Sequence, residues 1–338
     1  MRVVAAWGLA LLVSGCAAFR NYDAELYSTL EQASRGNVDA AIALLESNNR
    51  LPNKDLLYYL ELGMLQRLGG RYAESQKAWI AAAERIQARS AYAELAAIAG
   101  GAQGMVLSDK LRAYEAHDYE QVMLLTYMAL NHLARGDYDS ARVAIKQTHE
   151  REAQIAELRA KQFAEVEEQA KKRGARASVR ELSGYPVQAI DNPAVNALKN
   201  SYQSALSHYL AGFIYEALGE GSLAAPGYRL ANELHPGEPL LEDALAGLDR
   251  RLGAPDDGMA DVLFLIGSGA APRLTSQKFL MPTFVGTRSL LVSLSFPVIE
   301  PMRPGTPPAQ IDVGGRMLRA TPLTSVDLMA RRRLHDDM

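Results

Sequence analysis

The chain has 338 residues, 48% of them hydrophobic and 22% charged, which is enough apolar matter for real cores and excludes wholesale disorder. Its 36 basic and 39 acidic residues give a net charge of -3, without the basic excess that a nucleic-acid binder carries. A single cysteine rules out an internal disulfide, a paired-thiol redox motif and a thiolate metal cluster.

That cysteine, Cys16, stands at the end of a secretory pattern. One basic residue, Arg2, precedes an apolar run from Val3 to Val13, and Ser14-Gly15 then supply the small residues of a cleavage site. The run is too short to span a bilayer, which takes about 20 apolar residues. Cys16 directly after the small pair predicts a lipobox. The expectation is removal of residues 1–15, a diacylglycerol on the thiol, and Cys16 as the mature N-terminus in contact with a membrane. No later segment reads as a membrane-spanning helix.

From there to about residue 253 the chain repeats itself. In residues 55–85, Leu62-Gly63, Gly70, Tyr72, Trp79 and Ala82 follow the spacing of a tetratricopeptide unit. The register returns at Ala129, Gly136, Tyr138, Ala141 and Ile145. It returns again at Gly212, Tyr215, Gly219, Ala224, Tyr228, Ala231 and Pro236. A weaker copy opens the array at Gly36, Val38, Ala41 and Leu45. In each unit a small residue lets two helices approach, a glycine ends the first helix, and bulky residues of the second fill the gap. Pro226, inside the last second helix, predicts a kink or a late start.

Two stretches interrupt the array. Residues 86–120 read as a helical interval around Gly100-Gly101-Ala102-Gln103-Gly104. This cluster lacks the Lys-Ser/Thr of a phosphate loop and follows a helix, so it reads as a helix–helix turn. Residues 149–181 are rich in Ala, Glu, Lys and Arg and predict a long exposed helical extension. Its apolar positions, Ile155, Leu158, Phe163 and Val166, form too ragged a stripe for a strict coiled coil. Gly184, Pro186 and Asn192-Pro193 mark a loop before the last unit.

Residues 259–338 change character. Asp261–Ile266 and Ser289–Phe296 read as strands. Gln310–Val313 and Arg316–Ala320 flank Gly314-Gly315 as a hairpin. Thr324 and Asp327 read as a capping box opening a helix through Leu334. The predicted fold is therefore mainly α: a tetratricopeptide-like helical array (an α-solenoid) over 16–253, then a small β-rich α+β domain packed on the last repeat. The ending at His335–Met338 is expected to mark a truncated final helix.

The residues that could carry chemistry are few. His117, His132, His149, His208, His235 and His335 show no metal-ligand spacing, and no metal or other cofactor is expected. Ser268 in Gly267-Ser268-Gly269 is not a nucleophile elbow, and Pro272 breaks any likeness to a dinucleotide loop. Arg331-Arg332-Arg333 read as cations favouring a helix C-terminus. No catalytic residue is assigned. The predicted binding face is the concave one lined by first helices: Met64 and Arg67, Thr126 and Leu130, Tyr209, Phe213 and Glu216. Two readings of that face stand together, a groove filled by the protein's own chain and a groove that takes a partner protein.

Residues 119–153, residues 208–236 and the segment Asp261–Pro272 together resemble an uncharacterised family of bacterial envelope lipoproteins with tetratricopeptide-like repeats. Similarity to bacterial lipoproteins, with Ala17 rather than Asp after the cysteine, implies the periplasmic face of the outer membrane. The family resemblance implies a non-catalytic scaffold for an envelope protein partner, and by association with penicillin-binding-protein activators it points to peptidoglycan assembly. It supplies no catalytic residues and implies a longer C-terminus. The alternatives are an envelope hydrolase or transferase acting around Ser268 and Arg273, and a direct activator of a penicillin-binding protein.

Overall fold

A computed structural model describes residues 22–98, 114–173, 192–253, 262–269, 273–285, 288–300 and 310–337. The predicted signal peptide, Cys16, the glycine cluster at 100–104 and residues 174–191 lie outside them.

Each glycine that the repeat register assigns to a turn has a left-handed backbone, with φ of 81° at Gly36, 71° at Gly70, 72° at Gly136 and 74° at Gly219. In every case the next residue donates its amide five residues back. Asn37 bonds the Gln32 carbonyl, Arg71 that of Gln66, Asp137 that of His132, and Glu220 that of Tyr215, at 2.8–3.0 Å. These bonds satisfy carbonyls left over at the end of the first helix and turn the chain back on itself. The resulting hairpins pair α1 (Tyr22–Ser34) with α2 (Val38–Asn48), and α3 (Leu56–Leu68) with α4 (Tyr72–Ile98). The same turn follows α5 (Asp118–Ala134) and precedes α6 (Tyr138–Arg173), and α8 (Ala205–Ala217) pairs with α9 (Gly221–Leu234); α7 is the short turn Pro193–Asn196.

The same register fixes the packing within hairpins. A Cβ on Gly63 would fall 2.1 Å from the Trp79 ring, and one on Gly212 would fall 2.4 Å from the Tyr228 ring. Trp79 and Tyr228 are each 2% exposed. Ala129 and Ile145, both fully buried, hold the corresponding places in the third hairpin. Helix α9 adds Gly227, where a Cβ would meet the Gly212 amide at 2.7 Å and the His208 carbonyl at 2.9 Å. Backbone therefore lies against backbone between α8 and α9. Pro226 sits inside α9, which begins at Gly221 rather than late.

Two second helices outrun their units. Helix α4 continues to Ile98, so the front of the interval expected at 86–120 belongs to the hairpin. The extension expected from residue 149 is the continuation of α6, one helix of 36 residues. Its outer part is held by local pairs, Glu157–Lys161, Glu167–Lys171 and Glu168–Lys172, each at 2.7 Å. Every pair places the acid four residues before the base, the order that favours a helix.

Beyond α9, helices α10 (Pro239–Ala246) and α11 (Leu248–Gly253) complete the helical part. Asp261–Ile266 departs from expectation. Residues 262–269 form no strand, and Leu263 instead packs against the buried cluster of Tyr209, Tyr228 and Leu241. The strands are β1 (Arg273–Val285) with β2 (Arg288–Glu300), a long antiparallel ribbon, and β3 (Gln310–Val313) with β4 (Arg316–Arg319). Gly314 and Gly315 turn the second hairpin with φ of 59° and 84°, as a two-residue loop requires. The last helix, α12 (Val326–Asp336), is capped by Ser325, whose hydroxyl accepts from the Leu328 amide. The predicted cap, Thr324, is used elsewhere: its hydroxyl bonds the Ser204 hydroxyl at 2.7 Å and accepts from the Leu206 amide.

The chain divides into two compact units. One runs to His117 and takes in Leu130–Asp137; the other comprises Asp118–Ala129 and everything described from Tyr138 onward.

Candidate interaction faces and the buried histidine cluster

In the first unit, α3 places Met64 half-buried at its surface and turns Arg67 inward. The Arg67 guanidinium donates to the Asn131 side-chain carbonyl at 2.6 Å and lies 5.5 Å from the Tyr72 ring centre. Asn131 is fully buried and donates to Ser75 at 2.9 Å and to Gln76 at 3.4 Å. Gln76 in turn bonds the His132 ring at 3.0 Å. Arg67 thus belongs to a side-chain network that ties α3 and α4 to the last turn of α5. The sequence register marks Arg67 as groove-lining because it cannot show that Asn131 faces it. Leu130, also in this unit, is 5% exposed.

In the second unit, Thr126 is fully buried and its hydroxyl donates to the Val122 carbonyl one turn back. Tyr209 is 8% exposed, with its ring 5.6 Å from that of Tyr228. Phe213, one turn further along α8, remains half-buried. Glu216 accepts from the Tyr228 hydroxyl at 2.7 Å and from Arg251 at 2.9 Å. Burial opposes its charge, but the bonds from Arg251 and Tyr228 outweigh burial and hold its carboxyl below the usual range. The Tyr228 hydroxyl is pushed up by burial and by the Glu216 carboxylate.

The chain's own later segments cover part of α8. Leu263 and Leu323 pack on the Tyr209 cluster, and Thr324 bonds the start of the helix. Helix α12 closes over the start of α5, where Tyr119, Met329 and Ala330 share a core with Ile299 of β2. Arg159 joins Asp118 and Asp337 at 2.6 and 3.0 Å along the same seam.

Sequence reasoning missed a buried cluster between α6 and α8. His208 bonds Glu152 at 2.9 Å, and both side chains are almost fully enclosed. The His149 ring stacks on His208 with centres 4.6 Å apart and planes 15° from parallel. Burial, with His208 adding to it, pushes His149 down to about 4. Ser207 donates to the Ser204 carbonyl at 2.8 Å and reaches Glu152 only at 3.5 Å. Its hydroxyl therefore points at a carbonyl and an acid rather than at a basic nitrogen, which is the wrong geometry for an activated nucleophile. A His-x-x-Glu spacing on one helix was the available signal, but its partner lies 56 residues away in sequence.

Among the described residues no group of histidine, cysteine or carboxylate side chains has the arrangement of a metal site, and no helix is long and apolar enough to cross a membrane. A recess lined by Thr29, Asn49, Leu57, Tyr58 and Glu61 has about 10 Å³ of space. That is room for about one water molecule. Ser268 is exposed on the segment after α11; the Arg273 side chain lies outside the described set.

No family model matches the chain, and no curated protein matches it significantly. Among solved structures, a tetratricopeptide repeat protein from Parabacteroides merdae aligns with 67% of this chain and 98% of its own length. It is 13% identical, with a TM-score of 0.18, so the likeness carries no argument about function.

Proposed function

We propose that this protein is a non-catalytic scaffold that holds an envelope protein partner, anchored through lipidated Cys16 to the periplasmic face of the outer membrane. The observation that carries the scaffold reading is the repeated hairpin. Four glycine turns share one hydrogen-bond pattern, and two of the hairpins share one small-against-large contact, Gly63 against Trp79 and Gly212 against Tyr228. Stacked hairpins of this kind expose extended helix faces and bind through them. The anchor rests on the lipobox pattern at Ser14-Gly15-Cys16. Service in peptidoglycan assembly rests only on the family resemblance.

The contact positions we assign are the half-buried ones, Met64 on α3 and Phe213 on α8. Thr126, Leu130 and Tyr209 are enclosed, and Arg67 and Glu216 are engaged within their own units. Capture of periplasmic proteins on the unlipidated chain tests the reading. A partner retained by the native chain and lost on Phe213→Ala or Met64→Ala, with melting unchanged, supports it. Turnover of peptidoglycan or glycan substrates that disappears on Ser268→Ala would replace it with the hydrolase reading.

A further inference from the structure

The segment Val262–Ser268 has the chemistry of a strand without a sheet to join. It runs without turn or bend until Gly269, whose φ of 93° ends it. An unbent, non-helical run is extended, and its residues at about 3.3 Å each reach about 23 Å, the length of an ordinary strand. Among the described residues none of its backbone N–H or C=O groups meets a hydrogen-bond partner.

Its side chains alternate. Leu263 points inward and packs on the buried cluster of Tyr209, Tyr228 and Leu241, which fixes the segment to the second unit. Val262, Phe264 and Ile266 take the other side and are 69%, 47% and 48% exposed, while Leu265, on the side of Leu263, is 40% exposed. A run that is apolar on both sides has the composition of a strand covered on both faces, yet here one side stays open. A Cβ added at Gly267 would meet open space, so another backbone has room to approach. No charged residue occurs from Val262 to Gly269.

Two unmet needs decide what covers such a segment. Water satisfies the backbone but leaves the apolar side chains exposed. Lipid acyl chains cover the side chains but leave the backbone groups unpaired. A helix does the same, because its own N–H and C=O groups are spent within it. A second copy of the chain supplies both, yet a segment this short falls far below the roughly 20–30 residues a side of a stable dimer. An extended segment of another protein meets both needs, with backbone bonds for affinity and alternate side chains for specificity. Leu263 already holds the receiving strand in place, so less ordering opposes the pairing.

We propose that Val262–Ser268 is a strand-addition site, which pairs backbone to backbone with an extended, uncharged, alternately apolar segment of the partner protein. The proposal rests on the scaffold reading and names the form in which the partner binds.

The test selects phage-displayed random peptides of about ten residues, enough to cover a strand, on the full chain carrying Cys16→Ala. The expected winners alternate Val, Ile, Thr or Tyr with uncharged polar residues. A synthetic winner should slow amide exchange at residues 263–267 by about tenfold or more. N-methylation of the peptide amides on the paired edge should weaken binding by roughly a hundredfold, through two or three lost backbone bonds. N-methylation of the outer edge should leave binding unchanged. Phe264→Asp and Ile266→Asp alter exposed side chains and should abolish binding with melting unchanged. No enrichment would overturn the proposal, as would a winner indifferent to both methylations. Peptide-free chains that dimerise, and cease to on Phe264→Asp, would make a second copy the occupant and overturn it too. Protection around Met64 or Phe213 in place of 263–267 would overturn strand addition and leave the scaffold reading intact. The scaffold reading has its own failure, a native chain that retains no periplasmic protein, whatever the peptides do.

Discussion

The stacked histidines make stability depend on pH in a way that can be worked out. His149 holds its proton at about 4 in the folded chain, against 6.5 for a free imidazole. Its pKa is depressed, so between these values the unfolded chain binds the proton and the folded chain does not. Stability is therefore intact above about pH 6.5, falls as the pH drops toward 4, and levels off below that as far as this group is concerned. Two and a half units at 1.36 kcal/mol each amount to about 3 kcal/mol at the bottom of the window. The cause is local: a cation at His149 would sit against the His208 ring in a buried site, with Glu152 already engaged by His208. Chemical denaturation of the native chain and of His149→Gln, repeated from pH 7.5 to 4, isolates the term. The difference in unfolding free energy between the two should shrink with acid by about 3 kcal/mol. Parallel pH profiles would refute the assignment, because every other titrating group is common to both proteins.

Three further outcomes follow from the packing. Gly227→Ala pushes a methyl into the backbone of α8, and overpacking of about 1–3 kcal/mol should exceed the helix-propensity gain of about 1 kcal/mol; a raised melting temperature in calorimetry would contradict the close approach. Asn131→Ala strips Arg67 of its buried acceptor and should cost about 1.5–3 kcal/mol in a urea titration, whereas an unchanged midpoint would mean that water substitutes freely. Ser325→Ala removes the cap of α12 at about 1 kcal/mol, while Thr324→Ala loosens the start of α8 instead. Hydrogen exchange distinguishes these two, and faster exchange confined to α12 in both would show that Thr324 is the cap after all.

Much of the fold was legible because its rules are local. A glycine followed by a turn back needs only neighbouring residues, and Gly36, Gly70, Gly136 and Gly219 all obey it. The spacing of sixteen residues from Gly63 to Trp79 and from Gly212 to Tyr228 is likewise set by two helices and one short turn. The Gly314-Gly315 hairpin was legible for the same reason. Where tertiary demand competes with local pattern, the sequence misleads. Asp261–Ile266 has the composition of a strand, yet among the described residues 262–269 form none and Leu263 finds its place against helices. Thr324 has the form of a cap, yet its hydroxyl meets two groups at the start of α8, and Ser325 takes over.

The interaction face shows the same limit more sharply. Repeat register tells which side of a first helix a residue occupies, but not what the rest of the chain lays over it. Tyr209 and Phe213 are one turn apart and share a side of α8, yet Tyr209 is enclosed by Tyr228 while Phe213 stays half-buried. Replacing them separately distinguishes their roles. Tyr209→Ala removes a ring from a filled core and should cost about 3–5 kcal/mol, by analogy with other buried aromatics. In a unit of this size each kcal/mol lowers the melting temperature by about 2–4 °C, so a loss of roughly 10 °C is expected. Phe213→Ala should shift melting far less and, if α8 presents a binding face, weaken partner capture by tenfold or more. Equal losses of stability from both would make the whole side of α8 core. The contact positions would then have to be sought on Met64 and α3, which belong to the other unit.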